Sequence, residues 1–303
     1  MSVYHLRTRN LSLRAILRVF AAFTICGSYS VGQGMDEENK PLASVPLELH
    51  EDIPFLRVQI NDSQPLWFNV DSGAGACVID KATAKALKIP SEGELQGTGA
   101  GAGTFAYAMA KDVRLTTGPL SFKVDQLRVI DLSGVPTPKD RKLAGLFGYD
   151  FFQQYIVALD YDKSVMSVYD PKTFIYRGKG EALPLTFKKK VPFIRGKIQV
   201  HGKAAAQHEW LVDSGSADAL NDELLAESKG EKKRLTGGRG LGKEFEILQA
   251  TADRVELGRF QFPNVIGFSG GMKVGGGLLK YFTVVFDYPS QRMILEPNRR
   301  YSE

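Results

Sequence analysis

Short alternations of apolar and polar residues recur along most of the chain. FLRVQI (55–60), VRLTT (113–117), LSFKVDQLRVI (120–130) and SVMSVY (164–169) put like side chains at nearly every second position. A period of two predicts a strand with one face in the core. LWFNV (66–70) and IVALDY (156–161) are denser apolar runs of strand length, rich in β-branched and aromatic residues. Gly, Pro, Asn and Asp separate the runs, as turns require. Helical periodicity is scarce. Only DKATAKALKI (80–89) and NDELLAESK (221–229) predict short amphipathic helices. The pattern as a whole predicts an all-β chain with a few short helices.

The pattern also repeats. VPLELHEDIPFLR (45–57) aligns without gaps with LPLTFKKKVPFIR (183–195), an offset of 138 positions that pairs Pro46 with Pro184, Phe55 with Phe193 and Arg57 with Arg195. The DSG of WFNVDSGA (67–74) matches the DSG of WLVDSGSA (210–217), Asp71 against Asp213, at an offset of 142. Glycine-rich stretches follow, LQGTGAGAG (95–103) and LTGGRGLG (235–242), and then VRLTTGPLSF (113–122) and VELGRFQF (255–262). Last, residues 148–171 match 275–297, with Asp160-Tyr161 against Asp287-Tyr288 at an offset of 127. Block order is kept and only loop lengths drift, the mark of a repeated structural unit. Two pseudo-symmetric, mostly-β lobes are therefore expected, over 45–178 and 179–298, with a hinge near RGKGEA (177–182).

Size and charge narrow the classes. The 303 residues, 43% of them hydrophobic, suffice for one large core or two domains. The formal charge is +5, but residues 1–30 hold four arginines and no acid, so the remainder carries only +1. The other basic clusters (188–190 and 229–234) are short and lack interleaved aromatics, which argues against a nucleic-acid partner. The basic start leads into VFAAFTICGSYSVG (19–32), whose apolar core spans Val19 to Cys26. That core falls far short of the roughly 20 residues a membrane-spanning helix needs. Residues 1–30 are read as a signal peptide and 31–44 as a polar linker. A secreted or periplasmic location follows, with no integral membrane span after signal removal. Cys26 would leave with the signal, and Cys77 would stand alone as a small core residue with no base beside it.

The repeated DSG segments carry the candidate chemistry. Each drives an apolar strand into an acid, Asp71 or Asp213, inside a Ser-Gly turn. A carboxylate beside a buried strand is costly unless it is paired or hydrogen-bonded. If the two lobes face one another, the two acids meet, and close carboxyls share one proton because both cannot ionise cheaply. Gly73 and Gly215 would permit close backbone approach, and Ser72 and Ser214 would cross-brace the loops. Taken singly, each Asp reads as a turn or cap residue; the matched pair points to catalysis.

On these residues the chain resembles the bilobal, pepsin-like aspartic proteases of the secreted bacterial type, related to the retroviral enzymes. The likeness runs over nearly all of 45–298 and includes an apolar-Gly segment after each DSG, GLFGYDFF (145–152) and the looser KVGGGLLKYF (273–282). It implies two six-stranded-barrel-like lobes of the pepsin fold, with Asp71 and Asp213 as the catalytic pair. Aspartic proteases are themselves the usual example of two carboxyls sharing a proton. Ser72, Gly73, Ser214, Gly215 and Ser216 match the residues that support the active-site loops. The family's hydroxyl three positions after the Asp is Ser216 in the second lobe, but Ala74 stands there in the first. With fewer hydrogen bonds to its charged form, this pair is expected to work best at a less acidic pH than a stomach-type enzyme, above about pH 3. The flap candidate runs from Gln96 to Ala108, with Gly99 and Gly101 for mobility and Phe105 or Tyr107 as the cover. Both rings also read as ordinary strand residues.

Three other motifs fail on context. GTGAGA (97–102) follows a polar segment rather than an apolar strand, GGRGLGK (237–243) has Glu244 where a phosphate loop needs Ser or Thr, and GFSGG (267–271) has no histidine after it. His201 and His208 lack a ligand cluster, so no metal or cofactor is expected. The sequence therefore reads as a monomeric aspartic endopeptidase that takes a peptide or protein substrate in the inter-lobe cleft. The alternative is a catalytically silent bilobal peptide-binding or scaffold protein.

Overall fold

The alternating runs are strands in the computed structural model, which describes residues 39–99, 104–135, 137, 141–237 and 245–302. The predicted signal peptide, most of the linker, the flap glycine Gly101 and the tip of the second glycine-rich segment lie outside the described residues. Residues from Asp36 onward form one compact unit.

Up to residue 178 the strands are β1 (Ala43–Pro46), β2 (Glu48–His50), β3 (Ile53–Ile60), β4 (Leu66–Val70), β5 (Val78–Asp80), β6 (Glu92–Gly97), β7 (Phe105–Thr117), β8 (Leu120–Ile130), β9 (Leu143–Phe147), β10 (Ile156–Asp160) and β11 (Val165–Tyr169). After it come β12 (Glu181–Pro184), β13 (Thr186–Lys188), β14 (Val191–Val200), β15 (Ala206–Asp213), β16 (Leu220–Asn221), β17 (Lys232–Gly237), β18 (Phe245–Leu257), β19 (Phe260–Phe268), β20 (Lys273–Gly275), β21 (Phe282–Asp287) and β22 (Arg292–Pro297). In β3 the period-two pattern is realised directly: Leu56, Val58 and Ile60 are buried while Arg57 and Gln59 face water.

One eight-stranded sheet has the order β2-β3-β4-β9-β5-β8-β7-β6, and pairing of β3 with β7 closes six of its strands into a barrel. The other has the order β13-β14-β15-β20-β16-β19-β18-β17, closed by β14 against β18. Adding eleven to each strand number of the first gives the second. The one parallel pairing that matters most also corresponds: β4 runs alongside β9, and β15 alongside β20. A third sheet, β1-β11-β10-β21-β22-β12, takes three strands from each half of the chain and joins them where β10 pairs with β21.

Closed barrels leave few free edges, and their interiors are filled with large side chains. Phe147 packs 4.6 Å from Phe151 and 5.4 Å from Phe122, ring centre to ring centre. Phe152 stacks on Tyr288 at 5.1 Å, tying the helix α1–α2 half of the chain to the shared sheet; here α1 is Lys81–Ala86 and α2 is Tyr149–Gln154. Helix α1 is the predicted segment at 80–89, started by Asp80, whose carboxylate accepts from Thr83 N. The segment at 221–229 is instead a short 3₁₀ turn, Glu223–Glu227. Its cap, Asp222, is fully buried and fixed from several sides: Oδ2 accepts from Trp210 Nε1 at 2.6 Å and pairs with His208 Nδ1 at 2.7 Å, while Oδ1 accepts from Leu224 N at 2.8 Å. The segment is anchored to β15 at its start and leaves the helical conformation at Ser228, and short helical pieces of this kind are commonly 3₁₀.

Trp210→Phe keeps most of the buried ring but removes a donor from a buried carboxylate. A loss of about 1–3 kcal/mol is expected, read as a lower urea midpoint; an unchanged midpoint would mean that the indole bond contributes nothing.

Candidate active site

Strands β4 and β15 both end on an acid because each runs out of apolar sequence at the same point, Val70-Asp71 and Val212-Asp213. The backbone then turns identically in both places. Ala74 N donates to Asp71 O and Ser216 N to Asp213 O, each at 3.2 Å. Each turn is held from behind by the glycine segment on the neighbouring parallel strand. Tyr149 N donates to Ala74 O at 2.9 Å, and Gly276 N to Ser216 O at 2.7 Å.

The two turns are locked to each other by their serines. Ser72 Oγ donates to Val212 O at 2.8 Å, and Ser214 Oγ donates to Val70 O at 2.7 Å. Each hydroxyl also accepts from the other serine's amide, at 2.9 Å from Ser72 N and 3.0 Å from Ser214 N. Both serines are completely buried, so all four bonds form away from competing water. Tyr288, buried in the turn just after β21, adds a fifth, its hydroxyl donating to Ser72 O at 2.9 Å.

This brace sets the carboxyls against each other. Asp71 and Asp213 lie close enough for the charge of one to act directly on the other, and Asp71 Oδ1 accepts from Gly73 N at 2.9 Å. Each acid lies against the opposite loop's glycine. A Cβ on Gly215 would sit 2.7 Å from Asp71 Cγ, and one on Gly73 would sit 3.0 Å from Asp213 Cγ. Only glycine leaves room for that approach. Both acids keep contact with solvent; the Asp213 side chain is 16% exposed. Burial, and then the neighbouring Asp213 charge, push the Asp71 carboxyl up from its ordinary value to about 8. A pair of this kind can hold one proton through neutral pH.

Two phenols border the pair. Burial, and then Asp71 and Asp213, push the Tyr288 hydroxyl well above its usual range. Tyr161, its counterpart in the other Asp-Tyr pair, is also raised, by burial first and then by Asp52 and Asp213; its buried hydroxyl has no hydrogen-bond partner among the described residues. A lysine completes the surroundings. Lys273 Nζ lies 3.7 Å from Asp213 Oδ2 and 3.4 Å from Asp218 Oδ2, with 19% of its side chain exposed. Burial pulls the ammonium down, but the carboxylates of Asp213 and Asp218 outweigh it and the net shift is upward.

The remaining residues singled out in the sequence fall as follows. Ser216 is buried; its hydroxyl accepts from Asp218 N at 3.3 Å and makes no hydrogen bond to the Asp213 carboxylate among the described contacts. Phe105 and Tyr107 lie on β7 next to the β6 hairpin, ring centres 6.3 Å apart. Both pack on a small apolar cluster of Phe55, Val78, Ile130, Leu132, Leu143 and Leu146, the same one that Ala74 packs against. Gly99 is exposed at the start of the hairpin tip. Cys77 is buried, and burial pushes its thiol up to about 12. A cavity of about 580 Å³ elsewhere on the surface is lined by Asp80, Arg141 and Lys142 and includes neither aspartate. Its acids already have partners: Asp80 holds Thr83 and Leu132 N, and Asp131, also in the lining, accepts from Ser133 N.

Sequence reasoning passed over Lys273, Tyr161 and Tyr288. The tyrosines were visible as a repeated Asp-Tyr pair with no role attached. Lys273 had a signal too: it stands where the first repeat has Leu146.

Residues 56–151 match the family model described as aspartyl protease. The match contains Asp71 and the glycine segment behind it; Asp213 lies beyond it. It supports a protease, and so a hydrolase. No curated protein matches the chain. No helix among the described residues is long and apolar enough to cross a membrane.

The raised Asp71 makes stability depend on pH. In the folded protein the group holds its proton up to about 8, whereas unfolded it ionises near the ordinary carboxylate value of 3.8. Folding is therefore favoured below the unfolded value, and that contribution is lost as pH climbs through the folded one. The melting temperature is expected to fall between pH 4 and pH 8 by more in the wild type than in Asp71→Asn, which carries no charge to bury. Parallel curves would show that Asp71 titrates normally.

Proposed function

We propose that the protein is an aspartic endopeptidase whose two catalytic carboxyls are Asp71 and Asp213. The observation that carries this is the serine brace, which holds the ends of β4 and β15 so that each acid packs against the opposite loop's glycine and the two carboxyls face each other. The correspondence of strand orders between the two eight-stranded sheets supports an internal duplication into two lobes, 45–178 and 179–298. The active site then lies in the cleft between them, under the β6–β7 hairpin. One chain supplies both acids, so a monomer is sufficient. The sequence of residues 1–30 supports export to a secreted or periplasmic location.

The reaction uses water and the pair alone. A water molecule held by the singly protonated pair attacks the scissile carbonyl carbon. As the new C–O bond forms, the ionised carboxylate takes a water proton and the protonated carboxyl gives its own to the carbonyl oxygen, leaving a neutral gem-diol. Collapse breaks the C–N bond. The leaving nitrogen takes the proton just captured from water, and a gem-diol hydroxyl returns its proton to the other aspartate. One water is consumed, an acid and an amine are released, and the pair regains its starting charge. The peptide lies extended and pairs with strand edges of the cleft and hairpin. The high Asp71 value supports an optimum less acidic than a stomach-type enzyme, with the alkaline limb near 8.

The test is turnover of a mixed peptide library by the purified protein across pH. Asp71→Asn and Asp213→Asn are each expected to lower kcat by about a thousandfold or more, because the two groups act as a unit. A peptide analogue with a hydroxyl in place of the scissile carbonyl is expected to inhibit, as mimics of the tetrahedral species do. Turnover that survives either substitution rejects the pair. Peptides bound without cleavage by the wild type would favour the silent, peptide-binding alternative.

A further inference from the structure

The two halves of the candidate site are not equivalent, and one of the differences is a charge. Gly148 caps α2, and Gly275 caps α3 (Gly276–Leu279). Two positions before each glycine stand Leu146 and Lys273. Leu146 pairs with Asn69 across the β4–β9 ladder, and Lys273 with Leu211 across the β15–β20 ladder. Asn69 and Leu211 each precede their aspartate by two residues, so Leu146 and Lys273 occupy the same place relative to the two acids. Leu146 is 5% exposed and belongs to an apolar cluster. Lys273 brings an ammonium to that place, on the Asp213 side only.

A buried lysine persists when carboxylates surround it. The charged groups that act on Lys273 are Asp213 at the end of β15, Asp218 in the following loop and Asp71 at the end of β4. Those around Asp213 are Asp71 and Lys273, with the buried phenols of Tyr161 and Tyr288 beside them. Lys273 is thus the cation set against Asp213 among the described residues. Ser216, whose hydroxyl bonds to the Asp218 amide, leaves that carboxylate to the lysine.

Resting on the assignment of Asp71 and Asp213 as the reacting pair, we propose that Lys273 is a positioning residue that fixes the negative charge on Asp213 and leaves the shared proton on Asp71. The ammonium at 3.7 Å stabilises the ionised form of its neighbour and acts more weakly on the farther acid. This settles which group does what in the scheme above. Asp213 takes the proton from water and later gives it to the leaving nitrogen. Asp71 protonates the carbonyl oxygen and later recovers that proton from the gem-diol. The ammonium neither gains nor loses a proton. It acts through Asp213 and need not touch the substrate.

Lys273→Met keeps the length and apolar stem of the side chain and removes the charge, and Lys273→Arg keeps the charge. In the pH–rate profile for peptide cleavage, the acid limb reports protonation of the ionised member. It is expected to move up by at least about one pH unit in Lys273→Met and to stay near the wild-type position in Lys273→Arg. A purely structural role would lower the rate at every pH without moving the limb, and that result would overturn the proposal. Lys273→Gln replaces the methionine variant if the latter does not fold. A second measurement does not depend on turnover: carbon-13 carboxyl titration of the folded protein, with the two resonances assigned from Asp71→Asn and Asp213→Asn. Asp213 is expected to ionise at lower pH than Asp71 in the wild type and to shift upward in Lys273→Met. An Asp213 titration unchanged by that substitution rejects the role of Lys273 even if the protein cleaves no peptide, an outcome that would separately reject the endopeptidase reading.

Discussion

The site depends on the exchange of hydrogen bonds between Ser72 and Ser214. Each hydroxyl donates to the carbonyl before the opposite aspartate and accepts the opposite serine's amide. Neither residue can be satisfied unless both loops are present and in register, because both are wholly buried. A typical hydrogen bond adds only about 1 kcal/mol net, but an unpaired buried group costs about 1–3. The brace therefore acts more as a constraint on geometry than as a source of stability. It forces two acids, 142 positions apart in sequence, into contact that they would otherwise avoid.

What that contact costs is visible in its surroundings. Burial, and then the neighbouring acid, hold a proton on Asp71 far above the usual carboxylate range. Two glycines give up their side chains so that the acids fit. Tyr288 uses its hydroxyl on Ser72 O rather than on solvent. Lys273 brings an ammonium to the site, on the Asp213 side. Such a concentration of conflicting local choices is what a reacting site looks like, in contrast to the buried Asp222, whose partners Trp210, His208 and Leu224 N leave it settled as a structural cap.

Much of this was readable in the chain because strands announce themselves at period two. Leu56, Val58 and Ile60 point inward as their spacing requires, and Asp71 and Asp213 end their strands where the apolar runs stop. The serines and glycines of the two turns were readable for the same reason, since they are adjacent in sequence to the acids. Contacts made through strand pairing were not. Nothing in the order of residues says that Lys273 lies beside Leu211, or that β3 meets β7 to close a barrel; both follow from register between distant segments. The 3₁₀ turn at Glu223–Glu227 was misread as an ordinary helix because its shortness is set by the anchoring of Asp222 to β15.

The central claim is that Asp71 and Asp213 act together on one bound water. A crystal structure of the protein with a hydroxyl-bearing peptide isostere tests it most directly. The account requires the isostere hydroxyl to lie between the two carboxyls, within hydrogen-bonding distance of both, with the peptide extended beneath the β6–β7 hairpin. An isostere bound elsewhere, or carboxyls too far apart for a single oxygen to reach both, would contradict it.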